Sequence, residues 1–229
     1  MNQGAQVLST TGGAIAAQRN RVLRNTYWLL ALSMVPTVLG AWVGVQTGIA
    51  AAMSPGIGLI VFLAGAFGFM FAIEKTKNSA LGVPLLLAFT FFMGLMLSRL
   101  LGVVLGLNNG TSLVMTAFAG TGVIFFGMAS MSSIVKRDLT QMGKFLFIGM
   151  IMLLVAMVAN FFIQSSALMI TLSVLAIGIF SLFILHDLKR VQDGLETNYI
   201  TATLGVYLSV YNVFSNLLAL LGIFGGNSD

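Results

Sequence analysis

The chain has 229 residues, 58% hydrophobic and 7% charged, with eleven Lys and Arg against six Asp and Glu. A soluble domain carries roughly 25% charged residues, so this composition leaves nothing for a polar surface and no room for a separate soluble enzyme domain. The absence of cysteine excludes disulfides, thiolate metal sites and a Cys nucleophile. The net charge of +5 is scattered over short clusters rather than gathered on one face, which argues against nucleic acid as a partner.

In chain order, residues 1–18 are small and polar, a composition that buries too little apolar surface to fold, and are expected to form a mobile tail. The triplet Ala14-Ile15-Ala16 resembles a signal-cleavage site. It precedes the basic residues and the apolar run instead of following them, so no cleaved signal peptide is expected. The expected organisation is a cytoplasmic N-terminal tail over residues 1–24 and an all-α membrane domain over residues 25–226.

No charge lies between Arg24 and Glu74, between Lys144 and Asp187, or between Glu196 and Asp229, intervals of about 50, 42 and 32 residues. A hydrocarbon core about 30 Å thick takes roughly 20 apolar residues per helix, so these intervals hold two, two and one spans. A fourth interval, Asn78 to Val135, is broken by Arg99 alone and holds two more. The seven predicted spans cover about Tyr27–Thr47, Ile57–Ile73, Pro84 to before Asn108, Leu113–Ile134, Phe145–Ile163, Leu168–Leu185 and Ile200–Phe224. Met53-Ser54-Pro55-Gly56 reads as a turn between the first two. A polar loop from Asp187 to Asn198 precedes the last.

Orientation follows from the basic residues. The N-terminal segment and the loops after spans two, four and six hold ten of the eleven Lys and Arg; the loops after spans one, three and five hold none. The positive-inside rule then predicts a cytoplasmic N-terminus and a periplasmic C-terminus. Gly40, Gly44 and Gly48 recur at four-residue spacing, which lets helix backbones approach closely, and the expected use is packing within the bundle.

Catalytic templates fail here. One histidine cannot build a His-Glu-x-x-His zinc site, and neither a Gly-x-Ser-x-Gly elbow nor a phosphate-binding Gly-rich loop occurs. No enzyme activity and no cofactor are expected. Two charged residues nonetheless lie within or against apolar spans, where an ionised group costs about 2.5–3.5 kcal/mol at a helix centre. Arg99, late in the third span, has a stem long enough to snorkel to the interface and is a secondary candidate for function. Asp187, beside His186, has a short side chain that snorkels poorly. In the seventh segment Ser209, Asn212 and Asn216 share one helical face and could hydrogen-bond a carboxyl group, a cation or water. Asp187, Ser209, Asn212 and His186 are therefore the proton- or cation-sensing candidates, with interhelical hydrogen bonding as the simpler use of the same groups.

Several stretches resemble the Bax inhibitor-1 family (the TMBIM/YccA group), and most closely its bacterial YccA branch. They are Val22-Leu23-Arg24-Asn25-Thr26-Tyr27, the third-span run Ala88-Phe89-Thr90-Phe91-Phe92-Met93-Gly94, Lys136-Arg137-Asp138-Leu139, and Glu196-Thr197-Asn198-Tyr199-Ile200-Thr201-Ala202-Thr203 leading into Tyr207-Leu208-Ser209-Val210-Tyr211-Asn212. The resemblance covers nearly all of the chain from about residue 21. It implies a seven-helix bundle with the seventh helix central. In family members that leak calcium, it implies two facing aspartates on the sixth and seventh helices that share a proton. Asp187 stands at the first position and Ser209 at the second, so the resemblance implies a broken pair and puts a pH-gated leak in doubt. Resemblance to the YccA branch implies an inner-membrane protein that binds and moderates the membrane AAA+ protease FtsH. A calcium or proton leak gated around Asp187 is the alternative.

Overall fold

The computed structural model describes the backbone of residues 3–225 and the side chains of residues 16–225. It is all-helical: α1 (Gln3–Thr47), a short α2 (Ile49–Ala52), α3 (Pro55–Thr76), α4 (Gly82–Leu105), α5 (Gly110–Ile134), α6 (Thr140–Ile163), α7 (Ser166–Gln192) and α8 (Tyr199–Gly225). Seven of these, all but α2, are long and apolar enough to cross a membrane. The chain is a multi-pass membrane protein.

Local chemistry sets the boundaries. Gly48 ends α1 in the left-handed region, φ 65°, which glycine adopts without steric cost. Ser54 caps α3 by accepting the Ile57 N–H, and Pro55 takes the first helical position, where a missing N–H costs nothing. Ser165 caps α7 through Leu168 N–H at 3.3 Å. Asn198 caps α8 by accepting from Ile200 N at 2.9 Å and Thr201 N at 3.2 Å.

Two boundaries differ from the sequence reading. The backbone of α1 is helical from Gln3, so residues 3–18, expected as an irregular tail, join the first span as one helix. Extending a nucleated helix costs little per residue, and Ala and Gln sustain it well. Helix α7 continues through Asp187 to Gln192 rather than giving way to a loop at Asp187. Leu188 and Val191 are fully buried and carry the apolar face on for another turn, while Lys189 and Arg190 sit at the C-terminal end that favours cations.

Helix α8 is the axis of the bundle. It is flanked by α1, α4, α5 and α7, whereas α3 rests mainly on α4 and α6 mainly on α7 at the periphery. No residue from Tyr199 to Ile223 is exposed. Its Val206, Tyr207 and Val213 join Leu86, Phe89 and Met93 of α4 and Ile184 and Leu188 of α7 in the main core. On the peripheral α6, by contrast, Phe147, Ile151, Val155 and Phe162 are exposed, as suits a face against lipid.

Two of the three spaced glycines serve the α1–α4 crossing. Gly48, expected to pack with them, ends the helix instead, and a Cβ there would meet nothing within 4 Å. A Cβ at Gly40 would overlap the Phe91 carbonyl, one at Gly94 the Thr37 carbonyl, and one at Gly44 the Ser98 side chain. The two backbones are in contact here, which maximises the dispersion attraction that holds helices together in lipid.

The polar loops gather at one end. Asn198, before α8, donates to the Lys77 carbonyl at 3.1 Å and to Asn78 Oδ1 at 2.9 Å, between α3 and α4. Gln192 at the end of α7 donates to Ser132 Oγ of α5 at 2.8 Å. Ten of the eleven basic residues stand at this end. Arg99 alone stands near the other, 17 residues along α4 from Gly82, about 26 Å at 1.5 Å per residue.

Candidate functional site

The sequence candidates fall in three places. His186 and Asp187 lie near the end of α7, where the facing helices carry glycines. His186 is buried at 7% exposure, its ring against Gly143 of α6 and edge-on to Phe183 at 6.4 Å. Asp187 points to α8, with Oδ2 2.8 Å from the position a Cβ on Gly205 would occupy. Its Oδ1 lies 3.1 Å from His186 Nδ1, and its side chain is 19% exposed. Two glycines thus make room for an adjacent imidazole and carboxylate between α6, α7 and α8.

Such a pair is self-sufficient. A neutral imidazole with its proton on Nδ1 donates to the carboxylate, and an imidazolium does so with added charge attraction. A half-buried acid beside a histidine therefore has a hydrogen-bond partner in either state of the ring.

Ser209 belongs to a different arrangement. It is 3% exposed and its hydroxyl donates to the Gly205 carbonyl at 3.0 Å, one turn back in its own helix. Asn212 donates to Leu208 O at 2.8 Å and Asn216 to Asn212 O at 2.8 Å. Each polar group on the predicted face bonds to the backbone four residues earlier, a pattern open to Ser and Asn inside helices with few polar neighbours. Asp187 and Ser209 are thus brought to α8 one turn apart, with Gly205 at the contact. Among the described residues, the one buried side-chain polar atom without a partner is Thr201 Oγ1, on this same i, i+4 row of α8.

Two tyrosines of α8 do bond across to other helices. Tyr207 OH lies 2.9 Å from Thr37 Oγ1 of α1 and donates to Thr90 O of α4 at 3.4 Å. Tyr211 OH donates to Met93 O at 3.3 Å. Sequence reasoning passed over them because tyrosine reads first as apolar filler. The available signal was their i, i+4 spacing beside Thr90 and Thr37 in other spans.

Arg99 is exposed and remote from these groups. Its Nη1 donates to the Met53 carbonyl in the turn before α3, at 3.3 Å. Among the described residues no group of three or more His, Cys, Asp or Glu could hold a metal ion.

With this geometry in place, comparison with known proteins is decisive. The family model described as "Inhibitor of apoptosis-promoting Bax1" matches residues 19–227. The chain belongs to the Bax inhibitor-1 family.

Relatives in this family match almost end to end. The "Modulator of FtsH protease YccA" of Escherichia coli K12 is 37% identical over 203 residues, 89% of this chain and 90% of that one. The "Inner membrane protein YccA" of E. coli O6:H1 matches to the same extent. A membrane protein of Vibrio cholerae is 35% identical over 210 residues, 92% of each chain. The Bax inhibitor-1 assignment and the YccA-type resemblance thus agree with the central α8.

Proposed function

We propose that this protein is an inner-membrane regulator that binds a membrane-anchored AAA+ protease of the FtsH type and moderates its action, with no catalysis of its own. The observation that carries this reading is the 37% identity, over nine-tenths of both chains, to a protein named as a modulator of FtsH protease. The site supports it. Asp187 pairs with His186 and the Ser209 hydroxyl is bonded to Gly205, so the residue beside Asp187 on α8 is a serine and not the second acid that a shared-proton leak gate would need.

In this reading the end that carries ten of the eleven basic residues faces the cytoplasm and the C-terminus faces the periplasm. The protease then meets the polar loops and the N-terminal end of α1.

The test is co-purification of the protein with the protease from solubilised membranes, together with the half-life of a membrane substrate in its presence and absence. An unchanged half-life and no co-purification would sink the proposal. Deletion of residues 1–18 separately tests the N-terminal segment: its loss should change the protein's own turnover or its effect on the protease. Cation flux into liposomes tests the leak alternative, which requires wild type and Asp187→Asn to differ.

A further inference from the structure

At the end of the bundle opposite the basic loops, α1, α2 and α4 enclose an open cavity of about 460 Å³, within the range of small-ligand clefts. Its polar lining residues are Ser98 and Arg99, the latter its one charge, and Val45 and Val103 form apolar walls. Arg99 has five N–H donors, of which one reaches the Met53 carbonyl, and no carboxylate lies within 4.0 Å of it among the described residues. Five of the six acidic residues stand toward the other end, and the sixth, Asp229, lies outside the described residues.

The cavity exists because side chains are missing. A Cβ at Gly48 or at Gly102 would meet nothing within 4 Å. Gly48 needs its glycine for the backbone at φ 65°, but Gly102 lies inside α4, where glycine weakens the helix and no neighbour requires its small size. The helices leave this space without using it to pack.

We propose that this cleft binds the phosphodiester headgroup of a membrane phospholipid, with Arg99 as the phosphate ligand and the wall along Val45 and Val103 receiving the first acyl carbons. The cleft lies beside the C-terminal end of α1 and the last two turns of α4, within reach of an interface for a long basic side chain. The planar fork of arginine matches phosphate oxygens bidentately, and its aliphatic stem lies along apolar surface while its charge reaches the interface. Phosphate is the abundant anion at that depth, and the apolar wall favours a lipid over a free phosphate.

The experiment is native mass spectrometry of the detergent-purified full chain, titrated with phosphatidylglycerol. Arg99→Gln should lower the fraction of protein retaining one lipid about tenfold, the size expected for losing a charge-assisted hydrogen-bonded contact, and Arg99→Lys should restore part of it. Lys136→Gln, an equal charge loss at the basic end, serves as the control for general attraction. Gly102→Leu fills the cleft while keeping the Arg99 charge and should displace the lipid as well, with melting temperature confirming that both variants fold. Diacylglycerol, which lacks the phosphate, should not bind in an Arg99-dependent way. Equal losses in Arg99→Gln and Lys136→Gln, or full retention in Gly102→Leu, overturn the site. Displacement of the lipid by millimolar inorganic phosphate overturns the assignment to a lipid.

Discussion

The carboxylate of Asp187 faces the bare backbone of Gly205, and Ser209 stands one turn further along α8 with its hydroxyl bonded to the Gly205 carbonyl. One glycine therefore serves both residues, as the space for the acid and as the acceptor for the serine. Asp187 of α7 and Ser209 of α8 thus meet at the same glycine, yet each has its own partner.

Ser209→Ala should accordingly change stability by less than about 0.5 kcal/mol, because a helical serine bonded to its own backbone contributes little. Asp187→Ala should cost about 1–3 kcal/mol, since it leaves the buried His186 ring without its partner. Thermal unfolding in detergent measures both. Equal costs would mean that the two residues share an interaction after all.

Gly94→Ala should destabilise the bundle by about 1–3 kcal/mol, because its Cβ would meet the Thr37 backbone rather than a side chain that can turn away. Gly102→Ala, eight residues along the same helix and facing open space, should be neutral or stabilising by up to about 1 kcal/mol. The contrast, read from melting temperatures, isolates the α1–α4 backbone contact from any general effect of glycine in α4.

The span count was legible because charge is so costly in lipid that its positions divide the chain almost unaided, whereas the central last helix was implied by the family resemblance. Gly40 and Gly44 were legible for the same kind of reason: only close packing explains small residues every fourth position in a span. Asp187 and His186 were both named from the sequence, but the space that lets them pair was not. Hydropathy treats the residue next to it as part of the helix end, whereas the room for His186 is made by Gly143, 43 residues earlier and on another helix. The continuation of α7 past Asp187 was missed because a cluster of charges resembles a loop, although Leu188 and Val191 still keep the helical period. The polar face of α8 was read as open to a carboxyl group, a cation, water or a neighbouring helix, but Ser209, Asn212 and Asn216 bond to their own helix's backbone, a choice no pattern in one helix can reveal.

Asn198 both caps α8 and ties it to the turn before α4. Asn198→Ala should cost about 1–2 kcal/mol through the lost cap. The local signature is faster hydrogen exchange at the start of α8 and in residues 77–79, with the far end of α8 unaffected. Uniformly faster exchange along α8 would show that the tie matters less than global stability.

Asp138, in the loop between α5 and α6, accepts from the Thr140 hydroxyl at 2.6 Å and from the Thr140 N–H at 2.8 Å. These bonds, with Lys189 nearby, hold its carboxyl below the usual Asp range. Its folded pKa is depressed, so its contribution to stability is present above the unfolded value of about 3.9 and is lost as pH falls through the folded value. The melting-temperature difference between wild type and Asp138→Ala should be constant from about pH 5 to pH 8 and shrink as the pH is taken below about 4. A difference that grew toward low pH would reverse the assignment.

The enclosure of α8 also orders the life of the molecule in time. The helix that α1, α4, α5 and α7 all pack around is synthesised after all four of them. Until residues 199–225 enter the membrane, Phe89 and Met93 of α4 and Ile184 and Leu188 of α7 have no central neighbour, and Thr37 has no tyrosine to meet. The six earlier spans therefore cannot complete this core before α8 is in place. A chain cut short before Tyr199 would be an unfilled shell, open to whatever surveys unfinished proteins in the membrane.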